Sequence, residues 1–244
     1  MAPVGLSGAQ LLAVWEQGRG RDQIDRGLVM WRAAEPDVPD AELAVAPLGR
    51  RDAALLRLRT VTFGRHADCF VVCPACGAEL EFDVDVDALV VDRPSEPSGH
   101  AEVGRAGWRV RFRLPGAADV RAVRDERDPW LALARRCVVT AELDGAPRAA
   151  ADLPTEVAQE VDAAMSGLDP QAELTLSMDC AGCGNRWDGR FDIGTYLWRE
   201  IEVAGRRLLG EVDVLARAYG WSEDAILALS PGRRRSYLDL LEAL

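Results

Sequence analysis

Four of the six cysteines stand as two Cys-x-x-Cys pairs, Cys73 and Cys76 in "VVCPACGAELEF" and Cys180 and Cys183 in "MDCAGCGNRWDG". A glycine follows each pair, Gly77 and Gly184. Two thiolates at this spacing chelate one ion when the backbone between them turns tightly, and the glycine permits the positive φ at which the chain doubles back. Four such sulfurs suit a single tetrahedral Zn2+ with Zn–S distances near ~2.3 Å. A tetrathiolate shell leaves no open position for water, so the expected site is structural and serves folding rather than hydrolysis. The long separation of the pairs is no obstacle, because loop-closure entropy grows only with the logarithm of length. Two knuckles forming halves of one zinc ribbon, with a segment inserted between them, are therefore expected. Two other chemistries stay open: a redox pair, which wants its Cys-x-x-Cys at the start of a helix, and an iron–sulfur cluster. Cys69 and Cys137 read as small buried residues. His66, placed at a helix end, and His100, placed in a linker, lack ligand spacing to the cysteines.

The elements that must position these sulfurs can be read from periodicity. Leu11, Leu12 and Trp15 share a helical face behind Ser7 as N-cap, and Ile24, Leu28 and Trp31 mark a second helix. After the connector "EPDVPDAELAVAPLG", Ala54, Leu58 and Val61 mark a third. The period then changes: Leu80, Phe82, Val84 and Val86 alternate with acids, as in a strand with one wet face. "VDRPSEPSGH" reads as a linker, and Trp108, Val110, Phe112 and Leu114 form another alternating strand. Helical patterns follow around "ADVRAVRDERDPWLALARRCVV" and "LPTEVAQEVDAAMSGL", then two short strands flank the second cysteine pair. Leu197, Ile201, Ala204, Leu208, Val212, Leu215 and Tyr219 keep one face of a long helix, and two shorter helices close the chain. The expected fold class is α+β. Helical segments 1–66 and 194–244 surround a small antiparallel, zinc-ribbon-like element (67–91 and 171–193), with a strand-and-helix segment, 100–170, inserted.

Composition narrows the function classes. The 244 residues are 48% hydrophobic, enough for a sizeable core, and carry a formal net charge of -11. All 29 cations are arginine, for the chain has no lysine. Such a charge repels nucleic acid and anionic membrane at long range. The densest basic spot, Arg233, Arg234 and Arg235, keeps a nucleic-acid-binding adaptor as an alternative. No apolar run reaches the ~20 residues of a membrane span, and the opening "MAPVGLSGAQ" lacks the basic and apolar regions of a secretory signal. A cytoplasmic protein is expected, where paired cysteines mean metal or redox chemistry. No Gly-rich phosphate loop, nucleophile elbow or positioned histidine base is present, which points to a non-enzyme.

Five stretches together carry a family resemblance: "LGRRDAALLRLRTVTFG", "CPACGAELEF", "RFRLPGAADV", "CAGCG" with "RFDI", and "EVDVLARAYGWSEDAILALSPGRRRSYLDLL". The chain resembles baseplate-associated proteins of contractile phage tails and contractile injection systems, of the T-even baseplate hub assembly type. The resemblance implies a non-catalytic protein that assists baseplate or hub assembly, or stays in the finished particle. Its partners would be baseplate or hub proteins. The first candidate contact surface is the closing motif: Val212, Leu215, Tyr219, Trp221, Ile226, Arg234, Arg235 and Tyr237. The competing expectation for that motif is a three-helix cap closed over its own core.

Overall fold

The computed structural model describes residues 5–91 and 100–243. The linker expected from Val91 to His100 lies, except for those two residues, outside them. The architecture is α+β, with helices and small antiparallel sheets.

Ser7 accepts the Gln10 N–H while Gln10 Oε1 accepts the Ser7 N–H, a capping box that starts α1 (Gly8–Gly18). Asp22 caps α2 (Gln23–Ala34) by accepting the Asp25 N–H. The presumed connector holds a further short helix, α3 (Asp40–Val45), before α4 (Leu48–Phe63). Pro39 stands at the α3 N-cap, where its missing N–H is not needed, so the prolines that suggested a linker are compatible with a helix start. Gly64, at φ 100°, ends α4. His66 consequently opens a strand instead of lying in a helix end as expected. Met30, Trp31, Leu55, Leu56 and Leu58 form the centre of the main core with Leu197, Trp198 and Ile201 of the long helix α8 (Ile193–Tyr219).

Helices α1 and α8 meet glycine to tryptophan in both directions. A Cβ at Gly205 would lie 2.9 Å from the Trp15 ring, and one at Gly18 would lie 2.3 Å from the Trp198 ring. Only glycine lets these indoles come this close to the opposing backbone.

Two hairpins leave this body side by side in space although they are far apart in sequence. Strands β1 (His66–Val72) and β2 (Glu79–Asp85) pair antiparallel, as do β7 (Thr175–Asp179) and β8 (Arg186–Arg190). Between them in sequence lies a unit with a separate core. Its sheet runs in the order β3 (Ala101–Arg105), β4 (Trp108–Phe112), β5 (Val138–Leu143), β6 (Ala146–Arg148). The turns Ala106–Gly107 (φ 49° and 82°) and Asp144–Gly145 (φ 52° and 82°) take the left-handed pairs that tight hairpins demand. Val110 and Phe112 point inward against Val157, Ala158 and Val161 of α7 (Thr155–Leu168), with α6 (Pro129–Arg136) alongside. Asp119 of α5 (Ala117–Val123) is buried where it accepts from Arg113 and Arg136, and from the Gly116 N–H. This unit docks on the helical body through Leu48 N–H to Pro115 C=O and the ion pairs Arg121–Asp25 and Arg124–Asp22.

Past α8, the short helices α9 (Glu223–Leu227) and α10 (Pro231–Glu242) fold back on its end.

Candidate metal centre

The two knuckles have the same backbone wiring. In the first, the Cys73 N–H donates to Ala78 C=O (2.8 Å) and the Gly77 N–H to Cys73 C=O (2.9 Å). In the second, the Cys180 N–H donates to Asn185 C=O (2.9 Å) and the Gly184 N–H to Cys180 C=O (2.8 Å). Gly77 and Gly184 sit at φ 73° and 72°, the left-handed region in which a side chain is strained. Each turn thereby returns into a strand, β2 or β8, and not into the helix that a redox pair needs.

The hairpin tips bring all four sulfurs together, every pair within 4.8 Å. Cys73 Sγ lies 3.8 Å from Cys183 Sγ, and Cys76 Sγ lies 3.7 Å from Cys180 Sγ. A tetrahedron with metal–sulfur bonds of ~2.3 Å has edges of ~3.8 Å, so both cross-hairpin distances match it. All six cysteines are free thiols. Cys73 and Cys180 are buried, whereas Cys76 and Cys183 are exposed.

Four thiols this close compete for protons. Burial opposes the Cys73 thiolate, but the N–H groups of Cys76 and Ala75 and neighbouring thiols donate to its sulfur and bring its pKa down to about 7. The Asn185 N–H favours the Cys183 thiolate, yet donation of its own proton to the adjoining sulfurs, with burial, pushes Cys183 up to about 12. The first ionisation of the set is thus easy and the last is hard. A divalent cation among the sulfurs reverses that opposition, and the donor set fits such an ion. Thiolates in a closed tetrahedron would hold it for structure, with no vacant position for a substrate.

The remaining cysteines lie apart from the centre. Cys137 is fully buried, and burial first, with Asp119 nearby, raises its pKa to about 12. Cys69 is half-buried on β1 and is also raised by burial. His66 is paired with Asp83 at the strand start, away from the cysteines.

The base of the first hairpin is anchored by charge. Arg59 of α4, almost fully buried, makes two hydrogen bonds to Glu200 of α8 (3.0 and 2.7 Å) and donates to the C=O groups of Gly64 and His66. The Tyr196 hydroxyl of α8 donates to Asp68 C=O on β1 at 2.9 Å. A feature the periodicity did not single out follows from this arrangement. A groove of about 950 Å³ is lined by residues of both hairpins, among them Phe70, Phe82, Met178 and Trp187, and by Val203 of α8.

The closing motif is differently placed. Val212, Leu215 and Ile226 are buried in a small core, with Trp221 and Tyr237 packed against it. Tyr219 stacks on Trp221 with ring centroids 4.7 Å apart. Arg234 is buried and donates to Glu211 (3.0 Å) and to Leu229 C=O (2.7 Å), while Arg235 pairs with Asp239 at 2.7 Å. Three of the apolar side chains expected to face a partner thus face one another, and two of the three arginines of the basic spot are neutralised internally. No helix among the described residues is long and apolar enough to cross a membrane.

Compared with known proteins, residues 35–190 match the family model described as "T4 bacteriophage base plate protein". No curated protein and no solved structure matched the chain.

Proposed function

This chain belongs to the T4 bacteriophage base plate protein family, and from that premise we propose that it is a non-catalytic, zinc-stabilised protein of a contractile phage tail or contractile injection system. It assists assembly of the baseplate or hub, or forms part of it, and its partners are baseplate or hub proteins. One observation carries this reading. The matched span, 35–190, contains both knuckles, and within it four thiols from distant turns lie within 4.8 Å of one another, two of the pairs at the edge length of a zinc tetrahedron. A zinc ribbon is the element this geometry supports. A closed thiolate shell offers structure to an assembly protein and no reactive position to an enzyme.

The nucleic-acid alternative loses its main support, because Arg234 and Arg235 are already paired. Two measurements test the reading. Elemental analysis of the purified chain is expected to find one zinc per chain. Deletion of the gene is expected to abolish complete particles, and the tagged chain is expected to co-purify with baseplate or hub components. Intact particles from the deletion strain would refute the assembly role.

A further inference from the structure

We propose that the four-cysteine centre is also an oxidation site, at which a peroxide replaces the ion by two disulfides between the hairpins, Cys73–Cys183 and Cys76–Cys180. The tips then stay joined after the ion has left. The inference rests on the reading that the four sulfurs hold zinc, and it adds a second state of the same junction.

Position selects the pairs. Cys73 Sγ lies 3.8 Å from Cys183 Sγ and Cys76 Sγ lies 3.7 Å from Cys180 Sγ, so both contacts cross from one hairpin to the other. A disulfide needs ~2.05 Å, so each sulfur has to advance by roughly 0.9 Å along its contact. The tips themselves already meet, for a Cβ on Gly182 would sit 3.8 Å from the Ala78 Cβ. The pairs are also nested. As 73 rises to 76 the partner falls from 183 to 180, like successive rungs between antiparallel segments, so one bridge does not bar the other. Bridging inside a knuckle is the competing product. The turns do not favour it, because each Cys-x-x-Cys runs on into a strand, whereas a redox disulfide at that spacing starts a helix. Cys137 belongs to the separate core of the inserted unit, and Cys69 packs against the main core.

Exposure orders the events. Each pair joins a buried sulfur to an exposed one, Cys73 to Cys183 and Cys180 to Cys76. The peroxide reaches the exposed thiolate first. An S–O bond forms as the O–O bond breaks, hydroxide leaves and is protonated to water, and the cysteine becomes a sulfenic acid. The buried thiolate beside it attacks that sulfur. The S–S bond forms, the S–O bond breaks, and a second hydroxide leaves as water. For each bridge, two thiolates, one peroxide and two protons give one disulfide and two waters, with two electrons passing from sulfur to oxygen. A second peroxide closes the other pair, and the ion departs because no thiolate remains to hold it. On the reading that the chain stays in a tail particle, the oxidised state suits its later setting, since disulfides persist beyond the reducing cytosol.

The test treats the full, reduced, zinc-loaded chain with hydrogen peroxide, follows ion release with a chromogenic chelator, and maps the bridges by mass spectrometry. Trypsin cuts after Arg65, Arg105, Arg148 and Arg186 and so puts the knuckles in separate peptides, 66–105 and 149–186. The expected product is these two peptides joined, with fragmentation assigning Cys73 to Cys183 and Cys76 to Cys180, and one ion released for every two peroxides consumed. In the oxidised, metal-free chain the amides of Cys73, Gly77, Cys180 and Gly184 should exchange at least tenfold more slowly than in the reduced, metal-free chain, and dithiothreitol should abolish that difference. Bridges within a knuckle, bridges to Cys69 or Cys137, sulfinic acids in place of disulfides, or equal exchange in the two metal-free chains would each overturn the proposal. If the purified chain holds no zinc yet forms these two bridges, the zinc reading fails and the redox pairing stands. If zinc is present and is released while each knuckle closes on itself, the reverse holds.

Discussion

Stripping the ion from the tetrathiolate centre, with a chelator or by Cys183→Ser, is expected to open the two hairpin tips and leave the helical body folded. The tips have little else to hold them. From Val71 to Leu80 and from Met178 to Trp187, only the cysteines Cys73 and Cys180 are buried. A two-stranded hairpin without a packed face is marginal in water. Thiolate–zinc binding in comparable peptides is commonly worth ~10–16 kcal/mol, as large as the ~5–15 kcal/mol stability of a whole domain. With zinc, the tip amides should therefore exchange only through global unfolding. Without it, their opening should cost close to ~0 kcal/mol. The difference is at least ~5 kcal/mol, or roughly 10³- to 10⁴-fold in exchange rate. Four amides report it directly: Cys73, Gly77, Cys180 and Gly184, whose N–H groups make the knuckle hydrogen bonds. Hydrogen exchange, read by NMR or mass spectrometry, should show those four accelerate while the amides around Leu55 to Leu58 in α4 keep their protection. Unchanged tip protection in the metal-free chain would refute the staple. Equal loss in α4 would refute the separation of tip from body.

Two further outcomes test the frame around the centre. Alanine at Gly205 and at Gly210, both in α8, should act in opposite senses. Each gains ~0.8–1 kcal/mol of helix propensity. The Gly205 methyl meets the buried Trp15 ring at 2.9 Å, an overpacking cost of ~1–3 kcal/mol, whereas the Gly210 methyl meets nothing within 4 Å. Urea titration should therefore place Gly205→Ala below Gly210→Ala by ~1–3 kcal/mol, and equal midpoints would contradict the close α1–α8 contact. For Asp119, burial opposes the charge, but hydrogen bonds from Arg113, the Gly116 N–H and Arg136 outweigh it and hold the carboxyl below its usual value. A depressed carboxylate stabilises fully above the unfolded pKa of ~3.9 and loses its effect as pH falls through the lower folded value. Asp119→Asn should thus cost ~1–3 kcal/mol at neutral pH. In thermal melts of chelated samples its gap from the unaltered chain should close below that range, and a gap that persists there would contradict the assignment.

The cluster of four cysteines was legible because the chemistry of its turns is local. Cys-x-x-Cys followed by Gly encodes a turn geometry within five residues, and the matching wiring of the two knuckles bears that out. The long helices were legible too, since Leu197, Ile201 and Leu208 repeat over many turns. Strands β3, β5 and β6 were not. "VVTAEL" follows a helix without a break other than Cys137, and "AEVGR" offers only Ala101 and Val103 in its apolar phase before Arg105 breaks it, so neither shows a full period of two. A signal was present in "DG" at 144–145, the pair whose positive φ angles build the β5–β6 turn. The closing motif teaches a different point. Apolar residues at helical spacing show which face is buried but not what covers it, and Ile226 of α9 with Tyr237, Leu238 and Leu241 of α10 covers Val212 and Leu215. The groove between the hairpins was invisible for a similar reason. It depends on how far apart two segments stand, and no spacing along either segment reports that.

The sulfurs of Cys73 and Cys183 are 110 positions apart along the chain. At translation speeds of ~5–20 residues per second, the first knuckle leaves the ribosome roughly 5–20 s before its counterpart exists. For that interval two thiols wait, half a chelate, exposed to oxidants and to any stray soft metal. The intervening β3–α7 unit, with a core that needs neither knuckle, can condense during the wait and bring the late pair toward the early one. On the zinc reading proposed above, four ligands exist only once Cys183 has emerged, and a nascent chain that meets the ion sooner has only two with which to hold it.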